Sequence, residues 1–302
     1  MDPIPLVVVG TVAYDTIRTP MGAVSEALGG SATYFSLAAA LFTRVGLVAA
    51  VGEDFRDEDR QLLVDRGVDI TGLQTYPGES FRWVGEYHGA LDEAHTLETR
   101  LNVLTQFDPL LPSTYRTPEV LFLAAIDPEL QLRVLDRLER RPRLVACDTR
   151  DFWIEHTRPA LLRVLERVDC VLINEGEARL LAGDHNVVRA AQAIRRWGSF
   201  DLIIKRGGYG ALLFQDASVF AIPAYPLEDV VDTTGAGDSF AGGFLGALLR
   251  EPTRVRKALV LGNVVASFTV EDFSVRRLAT LTWSEVWHRY LEFRDVVRLE
   301  DL

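Results

Sequence analysis

The chain has 302 residues, 48% of them apolar, enough for one large α/β domain or two small ones around a sizeable core. A net charge of −11 argues against nucleic acid or an acidic membrane surface as partner, though not against a nucleotide, whose phosphate site is local. The two cysteines, Cys147 and Cys170, lie in apolar runs and offer neither a disulfide framework nor metal spacing.

The first residues, Met1-Asp2-Pro3-Ile4-Pro5, are acidic and proline-bearing, unlike a signal peptide, and no apolar run is long enough to span a membrane. A soluble cytoplasmic protein is expected. Leu6–Val9, Val45–Val51, Val120–Ala124, Leu144–Cys147, Cys170–Ile173 and Leu202–Ile204 read as buried strands. Helical patterns alternate with them at Ala32–Phe42, Arg56–Arg66, Glu129–Arg140, Ala160–Arg167 and Val187–Trp197. The alternation predicts βαβ units, hence an α/β fold with a mostly parallel sheet and helices on both faces.

One stretch departs from this. Phe81–His88 alternates apolar and polar residues, Thr96–Val103 does something similar after a turn around Asp92-Glu93, and Tyr14–Thr19 offers a further strand. The pattern predicts a small half-exposed antiparallel sheet built from about residues 12–24 and 72–106, within a single domain 1–302. Such a sheet is either a lid over an active site or a surface hairpin. After Ile204, Lys205–Gly210 turns the chain into Ala211–Phe214. From Asp238 onward the pattern is mostly helical and closes on the amphipathic Trp283–Arg298. The five histidines, His88, His95, His156, His185 and His288, show no ligand spacing.

The most informative segment is Asp232-Thr233-Thr234-Gly235-Ala236-Gly237-Asp238-Ser239-Phe240, followed by Ala241-Gly242-Gly243-Phe244-Leu245. A loop with two glycines runs into an apolar helix whose first N–H groups lack intrahelical partners and whose dipole is positive there. Such an end binds anions, phosphate above all. Gly235-Ala236-Gly237 lacks the third glycine of the dinucleotide fingerprint, and no Gly-Lys-Ser/Thr follows it. Asp238 falls in the first turn. As a simple cap it would favour the dipole. Beside a bound phosphate it makes sense as the base that takes a proton from an attacking hydroxyl.

Several separated patterns then coincide. Val7-Val8-Val9-Gly10 with Asp15, Leu28-Gly29-Gly30-Ser31-Ala32-Thr33, Val51-Gly52-Glu53-Asp54, Gly67-Val68-Asp69, Asn174-Glu175-Gly176-Glu177, Lys205-Arg206-Gly207 and the nonapeptide occur in this order. Together they resemble the ribokinase-like (PfkB) carbohydrate kinase family over nearly the whole chain. Gly29–Phe35, Phe81–Tyr87 and Asp148–Trp153 look most like a bacterial sugar or nucleoside kinase subgroup.

The resemblance implies a three-layer α/β/α kinase that transfers the γ-phosphoryl group of ATP to a primary hydroxyl of a sugar or nucleoside. Asp238 would be the base, and the N–H groups of Gly235, Ala236 and Gly237 the anion hole. Asn174 and Glu177 match the family's Asn-x-x-Glu, which positions Mg²⁺ through water; read without the family, they could form a capping box. Lys205, Gly207 and Asn263 fall where relatives contact the nucleotide. Asp232 and Thr234 match positions that in many relatives help hold a monovalent cation such as K⁺, although a glycine of that site is Ser274 here. Asp15, Gly29 and Gly30 would contact the acceptor. The family's Gly-Gly-x-x-x-Asn ends in Tyr34, which either stacks on a base, with Phe81 and Trp83, or packs. An adenosine-like nucleoside kinase and a catalytically silent nucleotide-binding relative are the alternatives, and a homodimer stays open.

Overall fold

The computed structural model describes residues 3–89, 91 and 94–298; the expected turn at Asp92-Glu93 lies outside them. The strands are β1 (Leu6–Val9), β2 (Ala13–Thr19), β3 (Gly22–Gly29), β4 (Val45–Gly52), β5 (Val68–Tyr76), β6 (Phe81–Tyr87), β7 (Ala94–Arg100), β8 (Val120–Leu123), β9 (Leu144–Cys147), β10 (Cys170–Asn174), β11 (Asp201–Lys205), β12 (Ala211–Gln215) and β13 (Ser218–Ile222). Nine of them form one sheet in the order β13-β12-β11-β10-β9-β8-β1-β4-β5. All pairs from β5 to β11 are parallel, and β12 and β13 add an antiparallel edge.

The central strands read as unbroken Val/Leu/Ile runs because both faces are covered. In β1, Leu6 and Val8 enter one apolar core, which includes Phe35, Leu63, Phe244, Val265 and Phe293. Val7 and Val9 enter the other, with Leu132, Leu161, Leu181 and Ile194. The first core therefore takes the helices Ser31–Ala39, Asp57–Asp65, Ala236–Arg250, Val255–Thr269 and Trp283–Val296. The second takes Pro128–Asp136, Arg158–Leu165, Glu175–Ala182 and Val187–Ile194. The three layers of the expected α/β/α fold are these two helical layers and the sheet between them.

A second sheet has the order β3-β2-β6-β7. Its centre is a parallel β2/β6 pair, flanked by antiparallel partners. Residues 72–76 do not belong to it, contrary to the sequence-based boundary: they extend β5, where Val48 to Gly52 of β4 face Gly72 to Tyr76. β3 was missed because Gly22–Gly29 mixes exposed small and polar residues with no clean period. One end of this sheet packs on the main body through Ile17, Tyr87, Leu91 and Phe273. β7 is exposed along its whole length.

Candidate active site

Parallel strands place their C-terminal ends at one edge, where α/β sheets bind ligands. Here that edge carries Asp148 after β9, Asn174 at the end of β10 and Lys205 at the end of β11. The nonapeptide loop meets it. Gly235 adopts φ 74°, the left-handed region, and caps the helix Ala236–Arg250. Asp238 sits in the first turn, buried. Ser239 closes the turn by donating its N–H to the Gly235 carbonyl at 2.8 Å. The Ala236 N–H turns back to the Thr233 carbonyl at 3.2 Å, so its expected place in the anion hole is partly taken. The N–H groups of Gly235, Gly237 and Asp238 have no acceptor among the described residues. A Cβ built on Gly237 would lie 3.2 Å from Lys205 Nζ, which brings that ammonium against the loop.

Lys205 is not the solvated strand-end lysine that its position alone would allow. Its Nζ donates to Asp148 Oδ2 at 2.6 Å, and the other oxygen of Asp148 accepts the Thr149 N–H at 2.8 Å. Burial pulls the Lys205 ammonium down, but Asp148, Glu177 and Asp238 outweigh it and hold the charge. Asn174 and Glu177 form the full capping box, with each side chain accepting the other's backbone N–H at 2.7 and 2.8 Å. The capping reading and the family reading are thus compatible, since the cap uses only one oxygen of Glu177. Burial, reinforced by Asp148, pushes the Glu177 carboxyl up to about 7 against the pull of Lys205 and Arg150. A cation would relieve that cost. Among the described residues no three His, Cys, Asp or Glu side chains converge on a point.

On the acceptor side, Asp15 is buried beside Gly29 and Gly30. A Cβ on Gly29 would lie 1.9 Å from Asp15 Oδ2, so only glycine lets the carboxylate sit there. Burial first, then the charge of Asp232, pushes Asp15 up to about 7; the Gly30 N–H and Arg150 pull the other way. Asp238 is also raised by burial, with Arg150 and Lys205 opposing.

Tyr34 resolves one of the open alternatives. It is 1% exposed, and a Cβ on Gly235 would fall 2.3 Å from its ring. The ring packs beneath the anion loop and offers no face for a base to stack on. Its phenolic oxygen is buried without a partner among the described residues, under the influence of Asp15, Asp232, Tyr87 and Asp238. Asp232 accepts the Thr234 N–H at 2.9 Å and the Ser274 N–H at 3.5 Å. Ser274 has φ 58°, in the left-handed region that favours glycine, and its hydroxyl donates to the Leu28 carbonyl. The Asn263 amide is occupied by the Pro223 carbonyl at 2.8 Å, and Gly207 opens a short turn at φ 52°.

Three residues escaped assignment from the sequence: Asp148, Arg150 and Tyr87. Asp148 and Arg150 lie in Asp148–Trp153, just past an apolar strand, and that position was the available signal. Tyr87 lies at the end of β6, where its phenolic oxygen is 2.9 Å from Thr234 Oγ1.

A buried carboxylate in the first turn of a helix with free N–H groups, at the C-terminal edge of a parallel sheet, suits phosphoryl transfer to a hydroxyl. The chain belongs to the pfkB family of carbohydrate kinases, whose profile matches residues 5–281. It is 35% identical to a cytidine kinase of Thermococcus kodakarensis over 254 residues, 81% of this chain and 88% of the relative. The fold is similar to an E. coli protein assigned as a ribokinase II and solved with ATP and Mg²⁺ (TM-score 0.81, 19% identity, 97% of this chain and 100% of that one). It is also similar to a Burkholderia thailandensis nucleoside kinase solved with inosine (TM-score 0.80, 18% identity, 98% and 100%).

Proposed function

We propose that this kinase transfers the γ-phosphoryl group of ATP to a primary hydroxyl of a nucleoside. The observation that carries the reading is Asp238, buried in the first turn after the left-handed Gly235, with its charge felt by the buried Asp15. The nucleoside, rather than a free sugar, is favoured by the likeness to a cytidine kinase over most of both chains. Asp15 and the Gly29-Gly30 backbone hold the acceptor. Asp238 takes the proton from the hydroxyl as it attacks, and the free N–H groups of Gly235 and Gly237 receive the phosphoryl charge. Lys205, fixed by Asp148, lies against that loop; Gly207 and Asn263 are the positions at which relatives meet the nucleotide. Mg²⁺, held through water by Glu177 beside Asn174, would neutralise phosphate charge when bound. The small sheet acts as a lid, with β2, β3, β6 and β7 covering the acceptor within a single domain.

The test is ADP release, coupled to an indicator, over cytidine, other nucleosides, ribose and fructose. It is run with and without K⁺, because Asp232 and Thr234 occupy the positions of a cation loop. Phosphorylation of nucleosides above free sugars is expected. Turnover of ribose or fructose with no nucleoside activity overturns the acceptor. Nucleotide binding with no turnover at all points to a silent relative, which retention of both the base and the loop argues against.

A further inference from the structure

Two cations act on Asp238 among the described residues, Arg150 and Lys205. They are not equivalent. Lys205 is held by Asp148 at 2.6 Å. Arg150 makes no ion pair and no side-chain hydrogen bond with any described residue, although it stands among acids and is open to solvent. Its position follows from the topology. It comes two residues after Asp148, past the C-terminal end of β9, next to β10, whose end bears Asn174 and Glu177. The groups that feel its charge come from several separate elements: Asp238 on the helix Ala236–Arg250, Glu177 on Glu175–Ala182, Asp148 after β9, Tyr87 on β6 and Asp15 on β2.

Asp238 marks the end of the cleft where the acceptor hydroxyl loses its proton. Glu177 marks the end where the nucleotide phosphates lie. Arg150 lies two residues past Asp148, which fixes Lys205 against the anion loop, so it stands at the sheet edge that carries the loop and Asn174. A guanidinium suits that place: it stays charged, and its fork of donors matches phosphate oxygens. An arginine left unpaired beside acids has its donors free for a ligand. We propose that Arg150 is a catalytic residue that contacts the transferring γ-phosphoryl group and stabilises its charge in the transition state. This rests on the kinase reading above.

The experiment compares wild type with Arg150→Ala, Arg150→Gln and Arg150→Lys, measuring kcat, KM and the affinities for ATP and ADP with Mg²⁺. Arg150 meets solvent, so melting curves near wild type are expected, with Gln keeping the polar bulk should Ala perturb the cleft. Loss of a phosphoryl-directed arginine is expected to lower kcat on the order of 10³-fold. The preference for ATP over ADP should collapse, ADP affinity should hold, and Arg150→Lys should fall between. Free guanidinium should restore part of the Arg150→Ala rate. A kcat within about twofold of wild type with the ATP preference intact overturns the proposal and leaves the kinase reading standing. Equal loss of ATP and ADP binding also overturns it, as the mark of a structural role. Wild type that binds neither nucleotide overturns both.

Discussion

The phenolic oxygen of Tyr87, at the end of β6, lies 2.9 Å from Thr234 Oγ1 in the anion loop. A second tie runs alongside it, from the Thr233 hydroxyl to the Leu91 carbonyl at 2.8 Å. The small sheet is thus joined to the nonapeptide loop by two polar ties, beside the apolar patch of Ile17, Tyr87, Leu91 and Phe273. A sheet held at one end can open without unfolding the body. Tyr87→Phe removes one tie and leaves the apolar contacts with Ile17 and Phe273. The loss in stability should be about 1 kcal/mol, the net worth of one hydrogen bond. The larger effect should fall on coupling, with more ATP hydrolysed per acceptor phosphorylated. An unchanged ratio at full activity would count against a lid.

Gly235→Ala tests the packing of the loop on Tyr34. A Cβ there meets the Tyr34 ring at 2.3 Å, and φ 74° is costly for any residue bearing one. The conformational part alone is about 1–2 kcal/mol. The clash adds to it, because the fully buried ring cannot swing into solvent. Gly235→Ala in a Tyr34→Leu background should therefore cost less than in wild type. Additive effects in this double-mutant cycle would mean that ring and loop do not press on each other.

The body of the fold was legible because its central strands are buried on both faces and its helices are amphipathic, so period and run length carry the signal. The loop, with Asp238 in the first turn after it, was legible because a helix N-terminus imposes a local sequence. What escaped depends on contacts between distant segments. Arg150 is unremarkable until sheet order brings the end of β9 to the edge that carries Asn174 and Lys205. Tyr34 was ambiguous because stacking and packing demand the same residue type, and only the position of Gly235 separates them. The lid was expected to begin near residue 72, inside β5, because an edge strand interrupted by Gly72 shows no clear alternation.

The acids of the cleft make an unusual prediction for stability against pH. Asp15 and Glu177 are each pushed up to about 7, and Asp232 and Asp238 are raised as well, all mainly by burial. The folded protein then holds protons that the unfolded chain releases near pH 4. Stability contributed this way is fully present below that point and is lost as pH rises towards about 7. Carboxylates held low in the fold, such as Glu285 at about 2, act in the opposite sense but at lower pH. The melting temperature of the ligand-free protein should therefore fall between about pH 4 and 7. Asp15→Asn and Glu177→Gln should each flatten the slope. A melting temperature that climbs over this window would show that the cleft acids ionise at ordinary values.

Asp238→Asn separates chemistry from binding. The helix N-terminus favours a negative charge but does not need one, and the amide is nearly isosteric, so the fold should be kept. The amide cannot take the hydroxyl proton. Loss of a general base costs about 10²–10⁴ in rate, so kcat should fall by that factor. Nucleotide affinity should hold or improve slightly, since a negative charge near the phosphates is gone. The pH profile supplies a second reading. Burial raises the Asp238 carboxyl, and Arg150 and Lys205 only partly offset it. Activity needs the ionised form, so the acid limb of kcat should lie above the ordinary aspartate range and fall as protons are added. That limb should vanish from the residual activity of the Asn variant. Wild-type kcat in Asp238→Asn, or an acid limb that survives the substitution, would assign the proton to another group.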